Sequence, residues 1–165
     1  METMTSNTPT TTSVISSKDL LTHWQAHRGL TRRVIEAFPE KELFEFSIGG
    51  MRPFAKIIME LLAIGAPGVK EIAEGTVQQL NEDLEQADTK EKILALWDEA
   101  TATIDQYWAQ IPDQRFQEKI MAFGQYEGTV QSTVLYYIDN EIHHRGQGYV
   151  YLRALGIEPP FFWQR

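Results

Sequence analysis

The chain contains no cysteine among its 165 residues. This absence excludes disulfide bonds, thiolate metal sites and thiol nucleophiles, and it is compatible with a reducing compartment. Basic residues are also in short supply, because 15 Lys and Arg stand against 23 Asp and Glu and leave a formal net charge of −8. An acidic surface repels the phosphates of nucleic acids, so we expect no nucleic-acid partner.

Long apolar runs are absent as well. No stretch approaches the ~18 residues that a membrane-spanning helix requires, so we expect no membrane partner. Residues 1–16 are rich in Thr and Ser and carry neither the basic nor the apolar segment of a signal peptide. We interpret them as a flexible N-terminal tail of a cytoplasmic protein. Residues 17–165 have the length and mixed composition of a single globular domain.

Helical periodicity, in contrast, is abundant. Apolar residues recur three and four positions apart in four segments, at about 17–38, 53–64, 88–111 and 129–155. The absence of a strong strand pattern leaves an all-α four-helix bundle as the predicted fold.

Local signals set the expected helix ends. Ser16 and Asp88 have the positions of N-terminal caps, and Gly156 suits a left-handed C-terminal position. The run Gly-Ala-Pro-Gly at 65–68 should stop or kink the second helix. The connection at 113–128 is long for a bundle loop, so we expect it to pack back onto the domain.

The last predicted helix carries polar groups in its otherwise apolar middle. Unpaired polar groups are costly to bury, so this row faces either water or a lined cavity, and we favour the cavity. Two of its members are four residues apart, the spacing at which helix residues share a metal ion. At ~100° per residue, four side chains fall within about 40° of that of Asn140: Thr133, His144, Gln147 and Tyr151.

Other histidine patterns compete with this reading. Glu141 and His144 have the Glu-x-x-His spacing of di-iron bundles, which need two such motifs where this chain has one. Asp19, His23 and His27 are spaced four apart on the first helix, which is a moderate metal pattern. We interpret that face as solvated. A lone histidine such as His144 can also hydrogen-bond within the bundle without a metal.

The run IDNEIHHRGQGYVYLRALGIEPP at 138–160 resembles the last helix of the DinB/YfiT-like superfamily. The family pattern is His-x-x-x-His-Arg-Gly-Gln, an apolar stretch and Leu-Gly-x-x-Pro-Pro. FSIGGMRPFAKIIMELLAI at 46–64 is similar to the family's second helix, and the resemblance extends over about 17–160. It implies a four-helix bundle with a divalent metal, namely nickel, zinc or iron, held by three histidines at one end of the core.

Carried onto this sequence, the resemblance places the metal ligands at Glu60, Asn140 and His144, with Met59 as an alternative register in the second helix. Only one of the three histidines remains. An amide oxygen is a weak ligand for zinc or nickel, whereas Glu60 contributes charge. The resemblance therefore implies either a degenerate metal site or three residues hydrogen-bonded without a metal. A further alternative pairs Glu60 with Lys56 on an exposed helix face.

Two functions follow from the resemblance. The first is a metal-dependent enzyme of the hydrolase or thiol transferase class, with zinc or nickel as cofactor and a small molecule or thiol as substrate. The second is a non-catalytic, stress-associated or binding bundle that has lost the metal. Under both, the resemblance implies a homodimer, to which the apolar C-terminal residues 161–163 would contribute.

Overall fold

The computed structural model describes residues 14–165. The predicted flexible tail lies outside these residues, except for its last three. Four long helices confirm the predicted all-α bundle, and a fifth, short helix was not predicted. The helices are α1 (Ser17–Ala37), α2 (Glu40–Glu45), α3 (Phe54–Glu74), α4 (Lys90–Trp108) and α5 (Val130–Ala154).

Capping residues fix where the long helices begin. Ser16 caps α1 as predicted, because its hydroxyl accepts a hydrogen bond from the Asp19 amide at 3.0 Å. The cap predicted at Asp88 was wrong. Thr89 has the extended backbone of a cap and accepts from the Lys92 amide at 3.2 Å. Asp88 instead forms an ion pair with the Lys92 ammonium at 2.7 Å.

Of the two alternatives predicted at 65–68, a stop or a kink, the stop was wrong, because α3 continues through Pro67 as far as Glu74. Proline removes one backbone donor from the helix interior. Yet 15 of the 21 residues of α3 are buried, so packing on several sides holds the helix together. Tertiary contacts here override a local helix breaker.

The connection at 113–128 packs back onto the domain as expected, but it is not structureless. A 3₁₀ turn at Asp113–Gln117 leads into an antiparallel hairpin of β1 (Lys119–Ala122) and β2 (Tyr126–Thr129). Strands of four residues are too short to give a clear alternating pattern, which is why the sequence did not predict them. The hairpin contacts both α3 and α5 and closes one end of the groove between them.

The helices pack so that α5 lies between α1 and α3, and α4 contacts the same two helices on the other side. Two faces of α5 are therefore buried, one against each neighbour. This arrangement explains why polar residues in the middle of α5 need partners from two directions. Within the described residues, no helix combines the length and apolarity needed to cross a membrane.

Close approach of α5 to α3 requires a glycine at Gly148. A Cβ atom there would lie 2.6 Å from the Phe54 ring, which is fully buried and stacked on Phe38. We expect Gly148→Ala to lower the free energy of unfolding by about 1–3 kcal/mol through overpacking. Gly146→Ala is the matched control, because a Cβ at that position meets no atom within 4 Å.

The control should instead raise stability by about 0.5–1 kcal/mol, because alanine is the better helix former. Urea titration of both variants measures the difference. Equal effects from the two substitutions would contradict the assigned contact between α5 and α3.

Candidate functional site

The three residues predicted as metal ligands lie together between α3 and α5. The His144 Nε2 atom is 3.0 Å from Glu60 Oε1, and the Asn140 amide nitrogen donates to the same oxygen at 3.4 Å. The Glu60 side chain is 15% exposed. The alternative exposed pair with Lys56 is absent, since that ammonium lies 3.2 Å from Asp83.

Three further residues hold this cluster in place. Arg52 donates a hydrogen bond to the second carboxylate oxygen of Glu60. Gln147 lies 2.8 Å from His144 Nδ1 and orients the ring. Tyr151 donates to the backbone carbonyl of Arg52 at 2.8 Å and fixes the segment that carries the guanidinium. The polar row predicted on α5 supplied Gln147 and Tyr151, whereas Arg52 precedes α3 and belongs to no periodic pattern.

The charges of the cluster are complementary. Burial alone would raise the pKa of Glu60, but the hydrogen bond from Arg52 and the interaction with His144 bring that pKa below its ordinary value. Glu60 is therefore a carboxylate at neutral pH. A depressed carboxyl pKa stabilises the fold above the unfolded-state pKa, and this contribution disappears as the pH falls through the folded-state value.

The spacing of the donor atoms suits a metal, but their chemistry does not. Ligand atoms around tetrahedral zinc are about 3.3 Å apart, close to the 3.0 and 3.4 Å found at Glu60 Oε1. However, the Arg52 guanidinium would repel a cation held by Glu60. Asn140 also turns its NH₂ group, not its oxygen, toward the carboxylate.

No three His, Cys, Asp or Glu side chains converge to hold an ion anywhere in residues 14–165. The residues present at the cluster therefore do not fit a tightly bound divalent metal. The metal role predicted for Glu60, Asn140 and His144 stays a prediction.

A second polar cluster lies on the neighbouring buried face of α5, against α1. Glu141 is 2% exposed and accepts hydrogen bonds from Trp24 Nε1 at 3.0 Å and Thr31 Oγ1 at 2.6 Å. The Arg28 guanidinium is 3.7 Å from the same carboxylate. Glu141 thus joins α5 to α1 and lies on a different face from His144. No sequence pattern revealed this partner set, because Glu141 is more than a hundred residues away from its partners on α1.

The interpretation of the first-helix histidines as a solvated face was wrong for His27, which is 4% exposed. Arg145 lies 2.9 Å from its Nδ1 atom, and Arg165 lies 2.8 Å from its Nε2 atom. His23 is exposed and approaches the same Nε2 atom at 3.1 Å. Two guanidinium groups beside the ring disfavour a metal cation at this pair.

Protonation of His27 should cost stability. Burial, and then the positive charges of Arg145, His23 and Arg165, lower the pKa of His27 from 6.5 to about 4. Between pH 6.5 and about 4, His27 binds a proton in the unfolded chain but not in the folded chain. Stability therefore falls as the pH drops from 6.5 toward 4. We expect a loss of about 1–3 kcal/mol at low pH, and the full stability is present above the unfolded-state pKa.

His27→Gln removes this titration, so its unfolding free energy should change less than that of the wild type between about pH 7 and pH 5. His143→Gln is the control, because that ring is exposed and is not among the groups that act on His27. Denaturant titrations at both pH values measure how the unfolding free energy of each variant changes with pH. The same pH dependence in His27→Gln as in the wild type would contradict the lowered pKa of His27.

A cavity of about 470 Å³ opens directly beside Glu60. Its walls come from α3, the segment after α3, the hairpin and the first half of α5. Phe123 and Tyr137 are among its aromatic lining residues, and Thr133 adds a hydroxyl. The polar row of α5 therefore lines a cavity at its N-terminal end and meets the Glu60 cluster further along the helix.

These features define an all-helical bundle with a polar cluster and an adjoining cavity between its third and last helices. The DinB family model matches the chain over residues 4–164, so the chain belongs to the DinB family. The predicted resemblance to the DinB family is thereby confirmed. No curated protein sequence matches the chain significantly.

Solved structures support the same fold. A DinB-like protein from Bacillus cereus superposes with a TM-score of 0.74 at 13% identity, covering 90% of this chain and 98% of that one. A DinB-like protein from Bacillus subtilis gives a TM-score of 0.69 at 18% identity, covering 88% and 99%. At these identities the likeness shows the DinB-like fold alone.

Proposed function

We propose that this DinB-family chain is a metal-independent binding protein for a small organic molecule, which occupies the cavity beside Glu60. The observation that carries the proposal is the bond from Arg52 to Glu60. A guanidinium already neutralises the only carboxylate of the cluster, so the cluster is electrostatically complete without an added cation. The adjoining cavity has the volume of a small-molecule site.

In this proposal the cluster serves as a rigid wall of the binding site. His144 is held on both ring nitrogens, by Glu60 and by Gln147. Arg52 and Asn140 occupy the remaining positions around the carboxylate. A network with every member paired fixes side-chain positions, which lowers the entropic cost of binding.

A metal-dependent enzyme of the hydrolase or thiol transferase class is the second candidate. The distances of 3.0 and 3.4 Å around Glu60 Oε1 favour it, because ligand atoms around zinc are about 3.3 Å apart. Arg52 and Asn140 disfavour it. Zinc or nickel would be its cofactor, and a small molecule or thiol its substrate. The two candidates differ in whether the cluster takes up metal.

Calorimetric titration of untagged protein with Zn²⁺ and Ni²⁺ separates them. We expect no saturable binding to the wild type. Arg52→Gln removes the competing charge while it retains hydrogen-bonding capacity, so any residual metal affinity should increase in that variant. One equivalent of tightly bound metal in the wild type, lost in His144→Gln, would overturn the proposal in favour of the enzyme.

The homodimer and the cytoplasmic location stay predictions. Phe162 and Trp163 are 65% and 61% exposed, and a large exposed apolar surface is typical of protein contacts. Light scattering coupled to gel filtration measures the mass in solution. A monomer at all concentrations would contradict the predicted homodimer.

A further inference from the structure

The cavity beside Glu60 carries charge of one sign only. Its lining includes three glutamates and four aromatic residues, but no Lys, Arg or His. Glu60 is already held by Arg52, which leaves Glu82 and Glu127 as the carboxylates available to a ligand. Such a lining repels anions and attracts cations.

These two glutamates form only long, solvent-exposed ion pairs. The nearest cation to Glu82 is Arg52 at 3.8 Å, and the nearest to Glu127 is Lys119 at 3.9 Å. Their side chains are 49% and 67% exposed. Ion pairs of this kind are worth little, so a ligand can replace them with small loss.

Two hydroxyl groups at the cavity have no hydrogen-bond partner within the described residues. Thr133 and Tyr137 are 9% and 4% exposed and both line the cavity. Neither hydroxyl makes a hydrogen bond within the described residues, and neither oxygen is fully buried, so both are open to a ligand in the cavity. Burial, with the charges of Glu71 and Tyr136, raises the pKa of Tyr137, so its phenol stays protonated.

The far wall of the cavity is held in place by Glu71. This residue is 8% exposed, and its two carboxylate oxygens accept from the amides of Phe123 and Gln78, each at 2.7 Å. The bonds tie the hairpin and the segment after α3 to α3 itself. Phe123 has a φ of 52°, an unusual conformation for a residue with a side chain, and it carries the wall's buried ring. The cavity is thus preformed.

We propose that this cavity binds a protonated organic amine with an apolar or aromatic body. The ammonium lies at the mouth between Glu82 and Glu127, and the body packs against Phe123 and Tyr137. Carboxylates and aromatic faces together are the groups that recognise ammonium ions in proteins. The inference rests on the proposed function, because it specifies the ligand of the same cavity.

The test is a calorimetric binding panel in the presence of a chelator. Benzylamine, phenethylamine, tryptamine and benzyltrimethylammonium are each compared with the alcohol and the carboxylate of the same skeleton. We expect the ammonium compounds to bind more tightly than the matched alcohols, and the carboxylates to bind least. Raising the salt concentration should weaken the ammonium binding.

Variants locate the binding within the cavity. Glu82→Gln combined with Glu127→Gln should weaken ammonium binding about tenfold, which corresponds to about 1.4 kcal/mol. Glu91→Gln combined with Glu99→Gln is the control for net charge, because both exposed residues lie on α4 and neither lines the cavity. Tyr137→Phe should weaken the ammonium compounds and the alcohols alike, since it removes a hydroxyl that both can reach.

Other results of the binding panel would overturn one of the two proposals. Binding of the carboxylates alone, or of no member of the panel, overturns the proposed amine ligand. Ammonium binding that is insensitive to both glutamate substitutions also overturns it. Binding of any compound only after zinc replaces the chelator would overturn the metal-independent function instead, so the failures of the two proposals are distinguishable.

Discussion

Glu141→Ala is expected to lower the free energy of unfolding by about 3–5 kcal/mol, the usual cost of breaking a buried ion pair. The substitution leaves Arg28, which is 1% exposed, without its nearest acid. It also removes the acceptor for Trp24 Nε1 and Thr31 Oγ1. Burial lowers the pKa of Arg28 and Glu141 acts against this effect, so the loss of Glu141 should weaken the charged state further.

Urea denaturation compares this variant with two controls. Glu141→Gln retains an oxygen acceptor but no charge, so we expect an intermediate loss. Asp98→Ala removes an acid whose side chain is 52% exposed and paired with Arg32, so it should cost less than about 1 kcal/mol. A loss from Glu141→Ala no larger than that from Asp98→Ala would show that the second cluster does not hold α5 against α1.

Glu60→His combined with Asn140→His is expected to create a tight zinc or nickel site. Together with His144, the two new side chains place three imidazoles at this cluster. In the wild type, the His144 ring nitrogen and the Asn140 amide nitrogen lie 3.0 and 3.4 Å from Glu60 Oε1, so the three positions converge. They also remove the carboxylate that holds Arg52 in the cluster. At a zinc concentration 100 times the dissociation constant, the fold should gain about 2.7 kcal/mol.

Thermal unfolding with and without zinc measures this gain, and calorimetry measures the affinity. The control adds His144→Ala to the double variant, which removes the third imidazole and should abolish most of the binding. A double variant with no greater zinc affinity than the wild type would mean that positions 60, 140 and 144 do not converge.

Helical periodicity predicted the long helices because each buries a broad apolar stripe. The row from Thr133 to Tyr151 was predictable for the same reason, since residues on one face of a helix share an environment. The family resemblance then brought Glu60 opposite Asn140 and His144. These parts of the site depend on spacing within single helices or on a recognisable motif.

The rest depended on contacts between distant segments. Arg52 reaches Glu60 from a segment with no periodicity, and only the packed structure shows that the cluster contains its own cation. Burial of His27 follows from Arg145 and Arg165 closing over it, not from any feature of the first helix. The hairpin that completes the cavity has strands too short for sequence patterns to reveal.

The central claim is that Arg52, and not a metal ion, neutralises Glu60. Anomalous diffraction at the zinc edge tests it most directly, with crystals of untagged protein grown in equimolar zinc. The account predicts the guanidinium on the Glu60 carboxylate, His144 Nε2 on the other oxygen and no anomalous peak at the cluster. A single peak within about 2.3 Å of Glu60, Asn140 and His144 would contradict it.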